Sequence, residues 1–266
     1  MNSLDELVAA VLNSSKYNTI DVALIEAIAT RELAIRPNFR TALKETKARL
    51  HQIAGAYFER PPGYKRWLDE LQMRQPAERP ALCRTIMAAH ASTRERQAFL
   101  DDFYRHIFAK IPPASRIIDL ACGLNPLATP WMNLAPGTFY RACDIYHDLC
   151  AFLSGCLPLL GMQGAAEVCD LVTAPPPWPA DVAFILKTLP VLEQVRRGAG
   201  YDLLRALHTP WMVVSFPTRS LGGRNVGMAA HYTAQMQAIC AAEQWQYATI
   251  EFPNELVFLV EKRVAS

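Results

Sequence analysis

Three aspartates in this 266-residue chain, Asp119, Asp144 and Asp170, each end a short apolar run, and they stand 25 and 26 residues apart. Carboxylates at the ends of successive parallel strands gather along one edge of a sheet, where they accept hydrogen bonds from hydroxyl and amino groups. Asp144 is placed to take both hydroxyls of a ribose, and Asp170 an adenine amino group. Each could be an ordinary loop aspartate, but together they describe an adenosine pocket. Asp119 leads into Leu-Ala-Cys-Gly-Leu-Asn-Pro126, with the single Gly123 where a dinucleotide site would show three glycines. The missing glycines argue against a pyrophosphate lying on the turn. A ligand without phosphates, such as S-adenosylmethionine, needs only Gly123 for close backbone approach. Leu186-Lys187 ends the next strand, nearest the reacting group, where Lys187 can meet a substrate base or its phosphate. The plain alternative is a surface lysine that snorkels.

The elements that must carry these residues are legible as short β-rich runs. Arg116–Leu120, Phe139–Cys143, Ala166–Cys169, Val182–Leu186 and Trp211–Phe216 alternate with helical stretches, which implies parallel strands in a doubly wound sheet. Tyr247–Phe252 and Glu255–Glu261 are separated only by Pro253 and Asn254, which makes a hairpin. A Rossmann-like α/β sheet of seven strands with a terminal antiparallel hairpin is the class I methyltransferase architecture; the Rossmann dehydrogenases lack that hairpin. The preceding hundred residues read as helices. Pro37 suits the first turn of a helix running towards Tyr57, with Phe39, Leu43, Thr46, Leu50 and Ile53 as its buried stripe. Arg36, Arg40, Lys44, Lys47 and His51 fall on another face, with no carboxylate spaced to neutralise them. A solvated helix face is the bland reading of that row. A long amphipathic helix is expected from Ala91 to Ala109, ended by Ile111-Pro-Pro. The expected division is a helical domain over residues 1–88 and a catalytic domain over 89–266.

Composition sets the class: 51% apolar and 20% charged residues describe an ordinary globular protein. The net charge of +2 hides an asymmetry. Residues 1–110 hold 17 Lys and Arg against 13 Asp and Glu, and residues 111–266 hold 10 against 12. Between Arg31 and Arg84 the balance is 12 to 6, so the front half is built to meet something anionic. The cysteines at 83, 122, 143, 150, 156, 169 and 240 include no CxxC pair and no zinc spacing. They read as reduced, buried thiols of a cytoplasmic protein without a metal site. Asp5 and Glu6 stand where a secretory signal would be basic. The uncharged run Leu149–Ala166 contains Ser154, Pro158, Gln163 and three glycines, so it reads as a buried helix with its exit loop and not as a membrane span.

Three segments stand out together: His90-Ala-Ser-Thr-Arg-Glu-Arg96, Asp119-Leu-Ala-Cys-Gly-Leu-Asn-Pro126, and Ser215-Phe-Pro-Thr-Arg-Ser-Leu-Gly-Gly-Arg224. In these the chain resembles the aminoglycoside-resistance 16S rRNA methyltransferases that modify a decoding-site guanine, nucleotide 1405, at N7. The resemblance spans essentially the whole chain and is strongest from His90 to Met228. It implies an N-terminal helical domain that docks on the 30S subunit, and a C-terminal domain that uses S-adenosyl-L-methionine and releases S-adenosyl-L-homocysteine. It further implies a cytoplasmic monomer. By the resemblance His90, Ala91, Ser92 and Arg96 lie at the methionine end of the cofactor, where the Arg96 guanidinium pairs its carboxylate. The same segment also reads as a capped helix start, with Ser92 followed three residues later by Glu95. Tyr57 matches an aromatic near the cofactor, with a core tyrosine as the alternative. Asp119, Ala121, Gly123, Asp144, Ile145, Asp170, Leu171 and Leu186 complete the expected contacts. Cys169 departs from the family, which usually has glutamine there.

Guanine N7 is a lone-pair nucleophile, so no general base is expected, only positioning by Lys187, Arg219 and Arg224. The base must be extruded from a stacked rRNA helix. The loop Ser215–Arg224, shaped by Pro217 and the Gly222-Gly223 pair, offers Arg219 and Arg224 to phosphate or to guanine O6. Met228 is placed to stack on the extruded base. Arg36, Arg40, Lys44, Lys47, His51, Lys65 and Arg66 are the expected rRNA-facing cations. Two other readings stay open: a same-fold enzyme acting on another decoding-site atom such as adenine N1, and a non-catalytic RNA-binding protein with a vestigial pocket.

Overall fold

The runs rich in Ile, Val and Phe form seven strands: β1 (Arg116–Leu120), β2 (Phe139–Asp144), β3 (Ala166–Val168), β4 (Val182–Leu186), β5 (Trp211–Pro217), β6 (Gln246–Phe252) and β7 (Glu255–Glu261). In the computed structural model, which describes residues 4–53, 61–172, 175–218 and 228–262, they make one sheet of order β3-β2-β1-β4-β5-β7-β6. β1 to β5 pair in parallel, and β7 runs antiparallel between β5 and β6. Strand order reverses between β1 and β4, which opens a crevice beyond their carboxyl ends. The expected strands agree with these bounds to within one residue. The reason is physical: β4 is buried along its whole length, so it reads as an unbroken apolar run.

Successive strand residues point to opposite faces, and the two faces build two cores. Ile117, Tyr140, Phe184 and Val213 pack against α4 (Tyr64–Met73), α5 (Arg79–Met87), α7 (Leu100–Phe108) and α8 (His147–Leu159). Ile118, Cys143, Ile185 and Val214 pack against α9 (Leu189–Val195), α10 (Ala199–Ala206) and α11 (Met228–Glu243). A third core joins α1 (Leu4–Leu12), α2 (Val22–Ile35) and α3 (Phe39–Ile53) through residues such as Leu7, Ile25 and Leu50. This helical unit is stitched to the loop after β2. Asp21 N–H donates to Ile145 O at 2.8 Å and His147 N–H to Thr19 O at 2.8 Å. Against the expected division at residue 88, α4 and α5 share the core of the sheet while α1–α3 keep their own.

Three local expectations change. Pro37 lies outside α3, and Asn38 caps it by accepting the Thr41 N–H at 3.1 Å. The fully buried side of α3 is Ala42, Thr46 and Leu50, with Phe39, Leu43 and Ile53 half-buried. Arg36 is not on that helix: it ends α2, where it pairs with the buried Glu32 and lies 3.9 Å from Glu45. The basic row on α3 therefore begins at Arg40, and carboxylates do neutralise its expected first member. The helix expected over Ala91–Ala109 is broken into α6 (Ala91–Arg96), a single 3₁₀ turn at Gln97–Phe99, and α7. The break turns the Arg96 side chain inward to Glu255 while Phe99 stacks on Phe252 at 5.0 Å.

Candidate active site

The turns that follow β1, β2, β3 and β4 converge on one cleft of about 970 Å³, counting the space at its mouth. That volume suits a small-molecule ligand. His90, Ser92, Arg96, Ala121 and Gly123 line it, together with Asp144, Ile145, Asp170, Leu171, Leu186 and Lys187. Ala91 and Asp119 are buried behind its wall. Tyr57, Arg219 and Arg224, with the Gly222-Gly223 pair, lie outside the described residues. Met228 is the first residue of α11 and half-buried. Ser215 and Phe216 are not loop residues; both are buried within β5.

Between β1 and the following 3₁₀ turn the chain reverses through two residues of positive φ, Ala121 at 51° and Gly123 at 50°. At Gly123 a Cβ would lie 2.8 Å from His90 Cε1 and 2.9 Å from His90 Nε2. Glycine is thus favoured by conformation and required by the imidazole packed on it. The turn aims the Gly123 N–H at Asp144 Oδ2, 2.9 Å away, and the Ile145 N–H reaches Asp144 Oδ1 at 2.7 Å. Burial pushes the Asp144 carboxyl up from its usual range, and these two N–H groups oppose the push. The Tyr146 N–H adds a third donor, and a carboxylate with about four acceptor positions still has capacity for a ligand. Asp170 accepts the Val172 N–H at 2.8 Å at the other side of the cleft.

Asp119 works from behind. Its Oδ2 accepts hydrogen bonds from Asn125 Nδ2 at 2.9 Å and from the Tyr140 hydroxyl at 2.7 Å. Burial lifts its carboxyl to about 7, against the pull of those donors and of Arg96. Between its ordinary pKa and 7 the folded chain holds a proton there that the unfolded chain has lost, so this group's contribution to stability falls as pH rises through that window. Asp119→Asn is therefore expected to gain stability relative to the wild type from pH 4 to pH 7, by a few kcal/mol in order of magnitude, with no further gain above. Chemical denaturation at several pH values checks it. A stability difference independent of pH would show that folding does not shift the Asp119 pKa.

At the opposite end of the cleft the charges are paired. The fully buried Arg96 donates from Nε and Nη2 to Glu255 at 3.1 and 2.7 Å, and from Nη1 to Asn125 Oδ1 at 3.1 Å. Lys187, at φ 59°, is buried and not snorkelling; its ammonium lies 2.6 Å from Glu95 Oε2. Glu95 is thus drawn to Lys187 and closes no capping box, and His90, not Ser92, is the N-cap residue of α6. Burial, with the Arg96, Lys187 and Arg94 charges, lowers the His90 pKa to about 3, so the ring is neutral at physiological pH. Glu255, Asn125, Leu24 and Ile53 are not among the site residues expected from the sequence. Asn125 carries a signal, since it lies in the segment that follows Asp119, and Ile53 lies on the apolar stripe expected of its helix; Glu255 and Leu24 carry none.

A parallel sheet with a reversed terminal hairpin, and a Gly–Asp cradle at its switch point, defines an S-adenosylmethionine-dependent methyltransferase of class I. Residues 13–259 match the family described as ribosomal RNA methyltransferase (FmrO). The chain is 41% identical to a 16S rRNA (guanine(1405)-N(7))-methyltransferase of Frankia casuarinae, over 98% of this chain and 94% of that one. It is 33% identical to one from Serratia marcescens, over 98% and 99%. Its fold superposes on the 16S rRNA methyltransferase RmtF, solved in complex with S-adenosyl-L-homocysteine, with a TM-score of 0.85 and 30% identity, over 97% of this chain and 98% of that one. The chain belongs to the family of 16S rRNA (guanine(1405)-N(7))-methyltransferases.

Proposed function

We propose that this protein methylates N7 of guanine 1405 in the 16S rRNA of the assembled 30S subunit, as a cytoplasmic monomer, and so confers aminoglycoside resistance. The cradle of Gly123 and Asp144 at the mouth of the switch-point crevice supports the cofactor half of this reading most directly. The residues fit S-adenosyl-L-methionine: Gly123 has no side chain to obstruct it, Asp144 has acceptors to spare for ribose hydroxyls, and Leu171 and Val172 give an apolar wall for adenine beside Asp170. When bound, that cofactor supplies an electrophilic methyl on a sulfonium. Guanine N7 carries a lone pair and no proton, so no side chain needs to act as a base, nor a metal ion to activate the nucleophile. The work left to the chain is orientation of N7 and exclusion of water. Arg219 and Arg224 are proposed to grip the extruded base or its distorted backbone, and Lys187 to brace the target side. Tyr57 and Met228 are proposed contacts to cofactor and base. Transfer of a labelled methyl to purified 30S subunits, followed by mapping of the modified atom, tests the reading. A methyl on adenine N1, or no transfer, overturns it.

The proposed docking face is the basic helical front of the chain, carried by α3 and α4. On α3, Arg40, Lys44 and His51 are exposed and Lys47 is half-buried, its backbone carbonyl accepting the Tyr17 hydroxyl at 3.2 Å. On α4, Lys65 and Arg66 are exposed, the latter 3.6 Å from Glu70. Charge reversal at both Arg40 and Lys44 is expected to weaken 30S binding and flatten its salt dependence. The log–log slope should fall by roughly 0.7–0.9 for each phosphate no longer neutralised. Binding titrations at several salt concentrations check this. An unchanged slope returns the row to the class of solvated helix faces.

A further inference from the structure

The hairpin between β6 and β7 is an edge element in this fold class, yet here its tip reaches beneath the cleft. Glu255, the first residue of β7, is completely buried and gathers three elements. It takes the paired N–H groups of Arg96 from α6, the Ser215 hydroxyl from β5 at 2.6 Å, and the Lys187 ammonium from the turn after β4 at 3.5 Å. The adjacent Asn254 ties the same elements through the backbone: its carbonyl accepts the Thr218 N–H at 3.1 Å, and its side-chain amide donates to Glu95 O at 3.0 Å. Arg96 and Lys187 also line the cleft, while Thr218 is the residue from which the Arg219–Arg224 segment departs. Two cations, one on the side expected to hold the cofactor and one on the side expected to meet the target, thus share a single buried carboxylate.

We propose that Glu255 is a positioning residue for methyl transfer, fixing Arg96 and Lys187 relative to each other and to the start of the target-facing segment. This rests on the reading of the cleft as the methyl-donor site. The physical case is that a guanidinium held at two N–H groups cannot rotate, and an ammonium shared by Glu95 and Glu255 cannot leave. Without the carboxylate, two buried cations lose their shared counter-ion, Lys187 keeps only Glu95 and Arg96 only the neutral Asn125, and their geometry relaxes. In-line transfer is sensitive to such relaxation: a misplacement of about 1 Å costs about a hundredfold in rate.

The test compares Glu255→Gln, Glu255→Asp and the charge-balanced pair Glu255→Gln with Lys187→Met. Each variant is followed by thermal unfolding, calorimetry with S-adenosyl-L-homocysteine, and single-turnover methylation at saturating 30S. Glu255→Gln is expected to bind about tenfold more weakly and to transfer about a hundredfold more slowly. Glu255→Asp should recover most of the binding and only part of the rate, because it restores charge on a shorter arm. The balanced pair should recover thermal stability without recovering rate. Rates and affinities of Glu255→Gln within twofold of wild type would overturn the proposal, as would a balanced pair whose rate returns together with its stability. Asp144→Ala serves as the reference: if it binds S-adenosyl-L-homocysteine normally, the donor-site reading itself has failed, whatever Glu255 does.

Discussion

Asp144→Ala is expected to abolish detectable binding of S-adenosyl-L-homocysteine while leaving a folded protein. The carboxylate stands at the end of β2 and accepts the Gly123 and Ile145 N–H groups at 2.9 and 2.7 Å. Two hydroxyls of a ribose would add two charge-assisted bonds, each worth about 1.5–3 kcal/mol, so losing both costs roughly two to four powers of ten in affinity. Stability should fall much less. Burial already disfavours the charged form of Asp144, and alanine removes that penalty along with the acceptor. The two N–H groups left behind line a cleft that water enters, so they are not orphaned in the core. Calorimetry with S-adenosyl-L-homocysteine, beside a thermal melt, separates the two effects. Affinity within threefold of wild type in a folded variant would remove Asp144 from the ribose position. Asp144→Asn should fall between the two, since it keeps an acceptor and loses the charge.

What the sequence could and could not disclose follows from where each signal originates. Asp144 and Asp170 were legible because buried parallel strands are written as apolar runs, and a carboxylate that ends such a run is conspicuous. Gly123 was legible because a lone glycine after a strand marks a tight turn. Glu255 was not, since it follows Pro253-Asn254 at a hairpin tip, a place where charge ordinarily meets water. Only the antiparallel register that sets Pro217 opposite Glu255 carries it under Ser215. Arg36 was misplaced for a related reason. Helical spacing projected backward from Arg40 across Pro37 puts it in line with that row, but its partner Glu32 lies one turn back on the preceding helix. The helix expected from Ala91 onwards failed at Arg96, because periodicity registers apolar faces and not a buried guanidinium that must turn inward. Ile53 falls on the apolar stripe of α3, which predicts burial but not against what, and nothing local marks Leu24 for the cleft. Contacts made across a tertiary junction leave no periodic trace of their partner.

Gly123→Ala is the second large effect, and it separates conformation from contact. At φ 50° an L side chain costs about 1–2 kcal/mol, and the new methyl would lie 2.8 Å from His90 Cε1. His90 caps α6 and is buried beside Arg96 and Lys187, so its ring has little room to withdraw. Overpacking of that kind adds about 1–3 kcal/mol. A total loss of roughly 2–5 kcal/mol in stability is expected, together with a fall of about a hundredfold in affinity for S-adenosyl-L-homocysteine. The affinity falls because relief of the clash must shift the Gly123 N–H away from Asp144 Oδ2, and with it the carboxylate. Two companion variants separate strain from clash. Adding His90→Ala removes the clash but not the strain, so it should return about half of the lost stability. Ala121→Gly, at nearly the same φ of 51°, should stabilise slightly, because glycine relieves a strain that alanine already carries there. If Gly123→Ala kept wild-type affinity, the turn after β1 could not be the place where ligand meets backbone, and the Gly123–Asp144 cradle would be a structural turn with an ordinary carboxylate beside it.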